Sequence, residues 1–183
     1  MAKTALLLAE GFEEVEALTP VDLLRRAKIG CELVALGKKK RVEGSHGIRV
    51  TADRLFDETD FEDYDGLILP GGMAGTKRLL ADERLKALLQ RFAAEGKLTA
   101  AICAAPTVLG QAGLLEGRRA VCYPGLEEGL IGAVVCRESA VRDGTVITGR
   151  GMGASVPFAL ALVEYFTDRE TADALAAKIV YER

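Results

Sequence analysis

Cys103 is the residue that this sequence places best for chemistry. It stands in Thr99-Ala100-Ala101-Ile102-Cys103-Ala104-Ala105-Pro106, where a short apolar run passes directly into a helical pattern. One nucleophilic side chain at such a corner, with small neighbours that fit a crowded turn, is the layout of a nucleophile elbow. Pro106 suits the first turn of the helix that follows, because the N–H it lacks has no partner there. Unpaired N–H groups and the dipole at that helix start favour negative charge. The sequence therefore predicts a thiol that loses its proton more readily than a free cysteine. The N–H of Ala104 is placed to donate to a developing oxyanion.

Two other segments can converge on that corner. Pro70-Gly71-Gly72 follows an apolar run. Glycine allows positive φ and close approach to a ligand, so the N–H of Gly72 is a second oxyanion donor beside that of Ala104. The alternative is a plain tight turn. The acids Glu10, Glu13, Glu14 and Glu16 cluster where a first helix begins. Dipole complementation accounts for most of such a cluster. One of them leaning over Cys103 would be a buried carboxyl with a raised pKa, able to donate to sulfur and shuttle a proton.

These loops need a scaffold. Thr4 to Ala9 reads as a strand buried on both faces, and Glu13 to Lys28 as a helix, with a kink or second start at Pro20. Strands follow at Cys31 to Leu36, Gly66 to Leu69, Leu98 to Ile102 and Ala120 to Tyr123. Arg41 to Val50 reads as a hairpin or edge excursion, and Ala133 to Arg142 and Thr145 to Thr148 as strands around Asp143-Gly144. Asp82 to Glu95, Ala104 to Gln111, Ser155 to Phe166 and Thr171 to Ile179 read as helices. This alternation predicts an α/β fold, a doubly wound, mostly parallel sheet with helices on both faces. Ligands bind beyond the carboxyl ends of such strands. The loops after the first, third and fourth strands carry the acids, Pro70-Gly71-Gly72 and Cys103.

Composition sets the limits. A chain of 183 residues with 49% hydrophobic residues fits one domain, 1–183, with a proper core. The net charge of −3 and the lack of a basic stripe argue against nucleic acid. Lys38-Lys39-Lys40-Arg41 reads as a solvated turn. The apolar run Ala5 to Ala9 is too short for a signal peptide or a membrane span, so a cytoplasmic protein is expected. Cys31, Cys103, Cys122 and Cys136 form no C-x-x-C pair and fit neither zinc nor a disulfide framework. His46 is the single histidine, which excludes mechanisms that need two.

In order, Glu13-Glu14-Val15-Glu16, Pro20-Val21-Asp22, Leu69-Pro70-Gly71-Gly72, Ala101-Ile102-Cys103-Ala104-Ala105-Pro106-Thr107 and Thr148-Gly149-Arg150-Gly151 with Ser155 and Phe158 resemble the ThiJ/PfpI superfamily. Within it, the chain is similar to the parkinsonism-associated deglycase subgroup and its bacterial YajL-type members. The resemblance implies a flavodoxin-like fold of the class I glutamine amidotransferase type, and a homodimer. It implies Cys103 as nucleophile, Glu16 as the protonated carboxyl beside it, and Gly72 and Ala104 as backbone donors. The family's frequent histidine is replaced by Tyr123, which can donate a hydrogen bond to substrate but cannot act as an imidazole base. His46 stands where some relatives carry an arginine near the dimer interface. The implied activity is a glyoxalase or deglycase acting on methylglyoxal-like dicarbonyls or their early adducts, with no metal or organic cofactor.

Neighbouring activities fit less well. The peptidase-like branch resembles a pattern with histidine directly after the cysteine, where this chain has Ala104; amidotransferases need a histidine downstream, and none follows His46. Gly149-Arg150-Gly151-Met152-Gly153-Ala154 fits a dinucleotide fingerprint, but no further strand with an acid follows it. The alternative from a different class is a redox sensor or chaperone-like protein, whose thiol oxidises to a sulfinate held by Glu16.

Overall fold

The opening apolar run is buried on both faces because it becomes the middle of a sheet. The computed structural model describes residues 1–182. The chain forms β1 (Lys3–Leu8), α1 (Glu14–Arg26), β2 (Gly30–Ala35), the short strands β3 (Arg41–Glu43), β4 (Arg49–Thr51) and β5 (Arg54–Leu55), then β6 (Gly66–Leu69). It continues through α2 (Met73–Leu80), α3 (Glu83–Ala94), β7 (Leu98–Ile102), α4 (Pro106–Gln111), β8 (Arg119–Ala120) and β9 (Val134–Val135). It ends with β10 (Ala140–Asp143), β11 (Val146–Gly149), α5 (Ser155–Phe166) and α6 (Arg169–Lys178).

The main sheet has seven strands in the order β10-β11-β7-β6-β1-β2-β5. Every neighbouring pair is parallel except β10 with β11. The order reverses at β1: the chain goes to β2 on one side, then crosses to β6 on the other. That reversal opens a crevice at the carboxyl ends.

Side chains alternate between two cores. Leu7, Leu67, Leu69 and Ala101 pack under α2, α3 and α4 through Leu79, Leu85, Phe92 and Leu109. Leu6, Leu8, Ile68 and Ile102 pack under α1, α5 and α6 through Leu24, Phe158, Leu162 and Leu175. Both faces are covered, which is why the strands read as continuous apolar runs. Among the described residues no helix is long and apolar enough to cross a membrane.

Two expectations change. Pro20 lies inside one continuous helix and starts no second one. The strand expected over Ala120 to Tyr123 is only β8, and it pairs with β9 outside the main sheet. Beyond it, the N–H of Val121 goes to the Thr148 hydroxyl at 3.0 Å and that of Tyr123 to the Cys103 carbonyl at 2.7 Å, so the segment is laid against the sheet end instead of extending a ladder. Of the dinucleotide-like glycines Gly149 is closely packed, since a Cβ there would lie 2.8 Å from the Ile102 side chain, and only helices follow, as the sequence reading has it.

Candidate active site

β7 ends at Ile102, and the next residue turns sharply. Cys103 has φ 66°, in the left-handed region that a residue with a side chain rarely adopts. Its neighbours hold it there. Its N–H donates to the Gly149 carbonyl at 2.9 Å, and its carbonyl accepts from Tyr123 N–H at 2.7 Å. The Ala105 N–H returns to the Ile102 carbonyl at 3.1 Å. The half-buried side chain is thereby lifted off the sheet end, as an elbow requires.

Glu16 reaches the same place from the first turn of α1. Glu13 caps that helix, accepting the Glu16 N–H at 2.7 Å. The Glu16 side chain is 1% exposed. Its carboxyl accepts the Gly71 N–H at 3.0 Å and hydrogen-bonds the Cys103 thiol. The N–H groups of Ala104 and Gly72 also donate to the sulfur. Cys103, Glu16, Gly72 and Ala104 are thus brought together at one point.

The double glycine explains how so many groups fit. A Cβ on Gly71 would lie 2.5 Å from a Glu16 carboxyl oxygen and 2.7 Å from the Cys103 Cβ. Gly72 has φ 87°, and a Cβ there would meet the Gly11 carbonyl at 2.4 Å. The sequence reading assigned Gly72 a role and missed Gly71, whose N–H fixes the carboxyl; its place in Pro70-Gly71-Gly72 was the available signal.

The protonation balance differs from the expectation of an acidic thiol. Burial pushes the Glu16 carboxyl up to about 7 against the lowering effect of its hydrogen bond to Cys103. Burial, then the charge and acceptor oxygen of Glu16, push the Cys103 thiol up to about 12, although the Ala104 and Gly72 N–H groups pull it down. α4 itself starts only at Pro106 and is six residues long. When Glu16 carries the proton, its charge no longer opposes the thiolate and its O–H can donate to sulfur. The two groups therefore titrate as a pair that shares a proton.

Tyr123 does not reach the site as simply. Its backbone braces the elbow, while its ring is exposed and lines a depression of about 380 Å³ with Arg150 and Met152. On the other flank, His46 is tied to α1: its N–H donates to Glu14 at 2.7 Å and its Nδ1 lies 2.8 Å from the same carboxylate. Burial pushes the Glu14 carboxyl up, but hydrogen bonds from His46 and Ser45 outweigh this and hold it at about 2. Glu13, Glu14 and His46 present ligand atoms within 4.8 Å of one another. Each is already engaged in a cap or a hydrogen bond, so the cluster reads as a clasp between α1 and the β3–β4 hairpin.

Comparisons with known proteins identify the family. The DJ-1 homolog B of Arabidopsis thaliana is 38% identical over 89% of this chain; the chain spans only 37% of that protein and 42% of the Arabidopsis homolog A. A deglycase of Pyrococcus abyssi is 35% identical over 85% of this chain and 90% of its own length. The solved structure of a cysteine-to-alanine mutant of a DJ-1 superfamily protein from Salmonella typhimurium superposes with a TM-score of 0.95 at 37% identity, covering 100% of both chains. The DJ-1/PfpI family model matches residues 2–165, and the chain belongs to the DJ-1/PfpI family.

Proposed function

We propose that this protein is a cysteine-dependent glyoxalase or deglycase that acts on methylglyoxal-like dicarbonyls or their early adducts without a cofactor. The observation that carries the reading is the hydrogen-bonded pair of Glu16 and Cys103 under two backbone donors. The deglycase name of the Pyrococcus relative supports the same class.

In the proposed reaction the Cys103 sulfur adds to the aldehyde carbon of methylglyoxal, and its proton passes to Glu16. The new alkoxide accepts hydrogen bonds from the Gly72 and Ala104 N–H groups and takes the proton back from Glu16, giving a hemithioacetal. The Glu16 carboxylate removes the proton from that carbon, giving an enediolate; the hydroxyl proton passes to the neighbouring oxygen, and Glu16 returns its proton to the neighbouring carbon. The product is a lactoyl thioester, which water cleaves to lactate and free Cys103. Electrons balance within the substrate, since one carbon is oxidised and its neighbour reduced. In the deglycase version the same attack falls on an adduct between a dicarbonyl and an amine or thiol. Tyr123 would donate to substrate from the rim of the elbow.

We include a homodimer in this reading. Val15 and Leu18 on α1 and Ile48 in the adjoining hairpin are exposed apolar residues, and a second copy would cover them.

Lactate formation from methylglyoxal without glutathione tests the proposal. Wild type should turn over, and Cys103→Ser should be inactive. A second reading, a redox sensor, is favoured by the same donors, because Glu16 O–H and two N–H groups would hold sulfinate oxygens. An inert wild type whose Cys103 forms a stable sulfinate would replace the enzyme reading with that one.

A further inference from the structure

A cavity of about 720 Å³ lies away from Cys103. It lies at the carboxyl ends of β1 and β2, roofed by the junction of α2 and α3. Its walls come from the loops that follow β1 and β2 and from the α2–α3 junction, at the carboxyl-end rim of the sheet where open α/β folds receive ligands. Its volume suits a small organic molecule.

The lining has a definite chemistry. Leu8, Leu36 and Val42 form a buried apolar floor. Lys38, Lys39 and Arg78 stand around the mouth. The acids there are already engaged. Asp82 caps α3 and pairs with Arg84, Glu10 accepts the Glu43 N–H at 3.0 Å, and Glu83 lies 4.0 Å from Lys86. Lys38 and Lys39 have no hydrogen bond or ion pair among the described residues, and Arg78 donates only to the carbonyls of Glu10 and Ala74. Of these acids only Glu10 has no cation beside it, so three cations stand against one carboxylate and leave an excess of positive charge over the apolar floor.

We infer that this cavity is a second ligand site, for an organic anion with an apolar body, held by Lys38, Lys39 and Arg78 over Leu8, Leu36 and Val42. The apolar body displaces water from the floor. The anionic group, a phosphate monoester or a carboxylate, meets the three cations. The site is independent of the activity proposed at Cys103.

Isothermal titration of the full chain with 1-naphthyl phosphate tests this. Saturable binding at one molecule per chain is expected, with inorganic phosphate and 1-naphthol each weaker by roughly tenfold or more, since each keeps one half of the recognition. The 1-naphthoate arm separates carboxylate from phosphate preference. Lys38→Glu with Lys39→Glu, both exposed, should weaken binding by about tenfold or more while leaving methylglyoxal turnover unchanged. Ala81→Trp, which fills the roof, should abolish binding. Absence of saturable binding to wild type, undiminished binding in the charge-reversed variant, or loss of binding on alkylation of Cys103 would overturn the inference.

Discussion

The Glu16 carboxyl hydrogen-bonds the Cys103 thiol while also accepting the Gly71 N–H at 3.0 Å, so one buried acid is fixed against one sulfur from a different element. With Glu16 raised to about 7, the pair drops from two protons to one near neutrality. The one-proton state is the reactive one, because the remaining proton can sit on Glu16 and leave a thiolate. Alkylation of Cys103 by iodoacetamide should therefore rise with pH through about 7. In Glu16→Gln the thiol must lose its proton to solvent against burial, and the rise should move to higher pH. An unchanged midpoint would remove Glu16 from the titration.

The same shift bears on stability. An unfolded glutamate loses its proton near its ordinary value of 4.5, whereas native Glu16 keeps it to about 7. The native state binds more protons between those values, so stability falls as pH rises across that window. The full effect is about 3 kcal/mol as an upper figure, at 1.36 kcal/mol per pKa unit. Denaturant melts at pH 4.5 and 7.5 should show wild type losing stability and Glu16→Gln losing much less. Equal losses in the two proteins would contradict this.

Gly71→Ala should damage activity more than folding. The added methyl would lie 2.5 Å from a Glu16 oxygen and 2.7 Å from the Cys103 Cβ, so both groups must move. A displacement of this kind costs roughly 100-fold in turnover. Near-wild-type lactate formation by a folded Gly71→Ala protein would show that the close fit is unnecessary.

His46 should act as a clasp whose strength depends on pH. Glu14 raises the His46 pKa and His46 holds Glu14 down at about 2. The ion pair exists once Glu14 is charged, and it is lost as pH rises through the raised histidine pKa. Thermal melts should show His46→Ala destabilised at pH 5.5 and closer to wild type at pH 9. The same deficit at both values would leave the histidine charge without a role.

How much of this was legible in the chain varied with the range of the interactions. β1, β6 and β7 read as strands because both faces are covered and their residues are almost all apolar. The Cys103 elbow showed in the small residues around one nucleophile. β8 did not, because the donors of Val121 and Tyr123 go to Thr148 and Cys103, partners far along the chain. Which of four acids would reach the thiol was settled by helical phase and the Glu13 cap, and the resemblance supplied Glu16 where periodicity alone left the choice open. The Gly71 contact and the shared proton arise only when β1, β6 and β7 lie side by side. The turn Lys38-Lys39-Lys40-Arg41 reads as solvated, and its four residues are exposed in the structure.

The most direct test of the paired proton shuttle is lactate formation from methylglyoxal by Glu16→Gln beside wild type, with hemithioacetal formation on Cys103 followed by mass spectrometry. The account predicts that the variant still adds substrate to sulfur while lactate formation falls by about 100-fold or more, the range expected when a general acid–base is removed. Turnover within about a factor of two of wild type would show that the proton moves without Glu16, and the mechanism proposed here would be wrong.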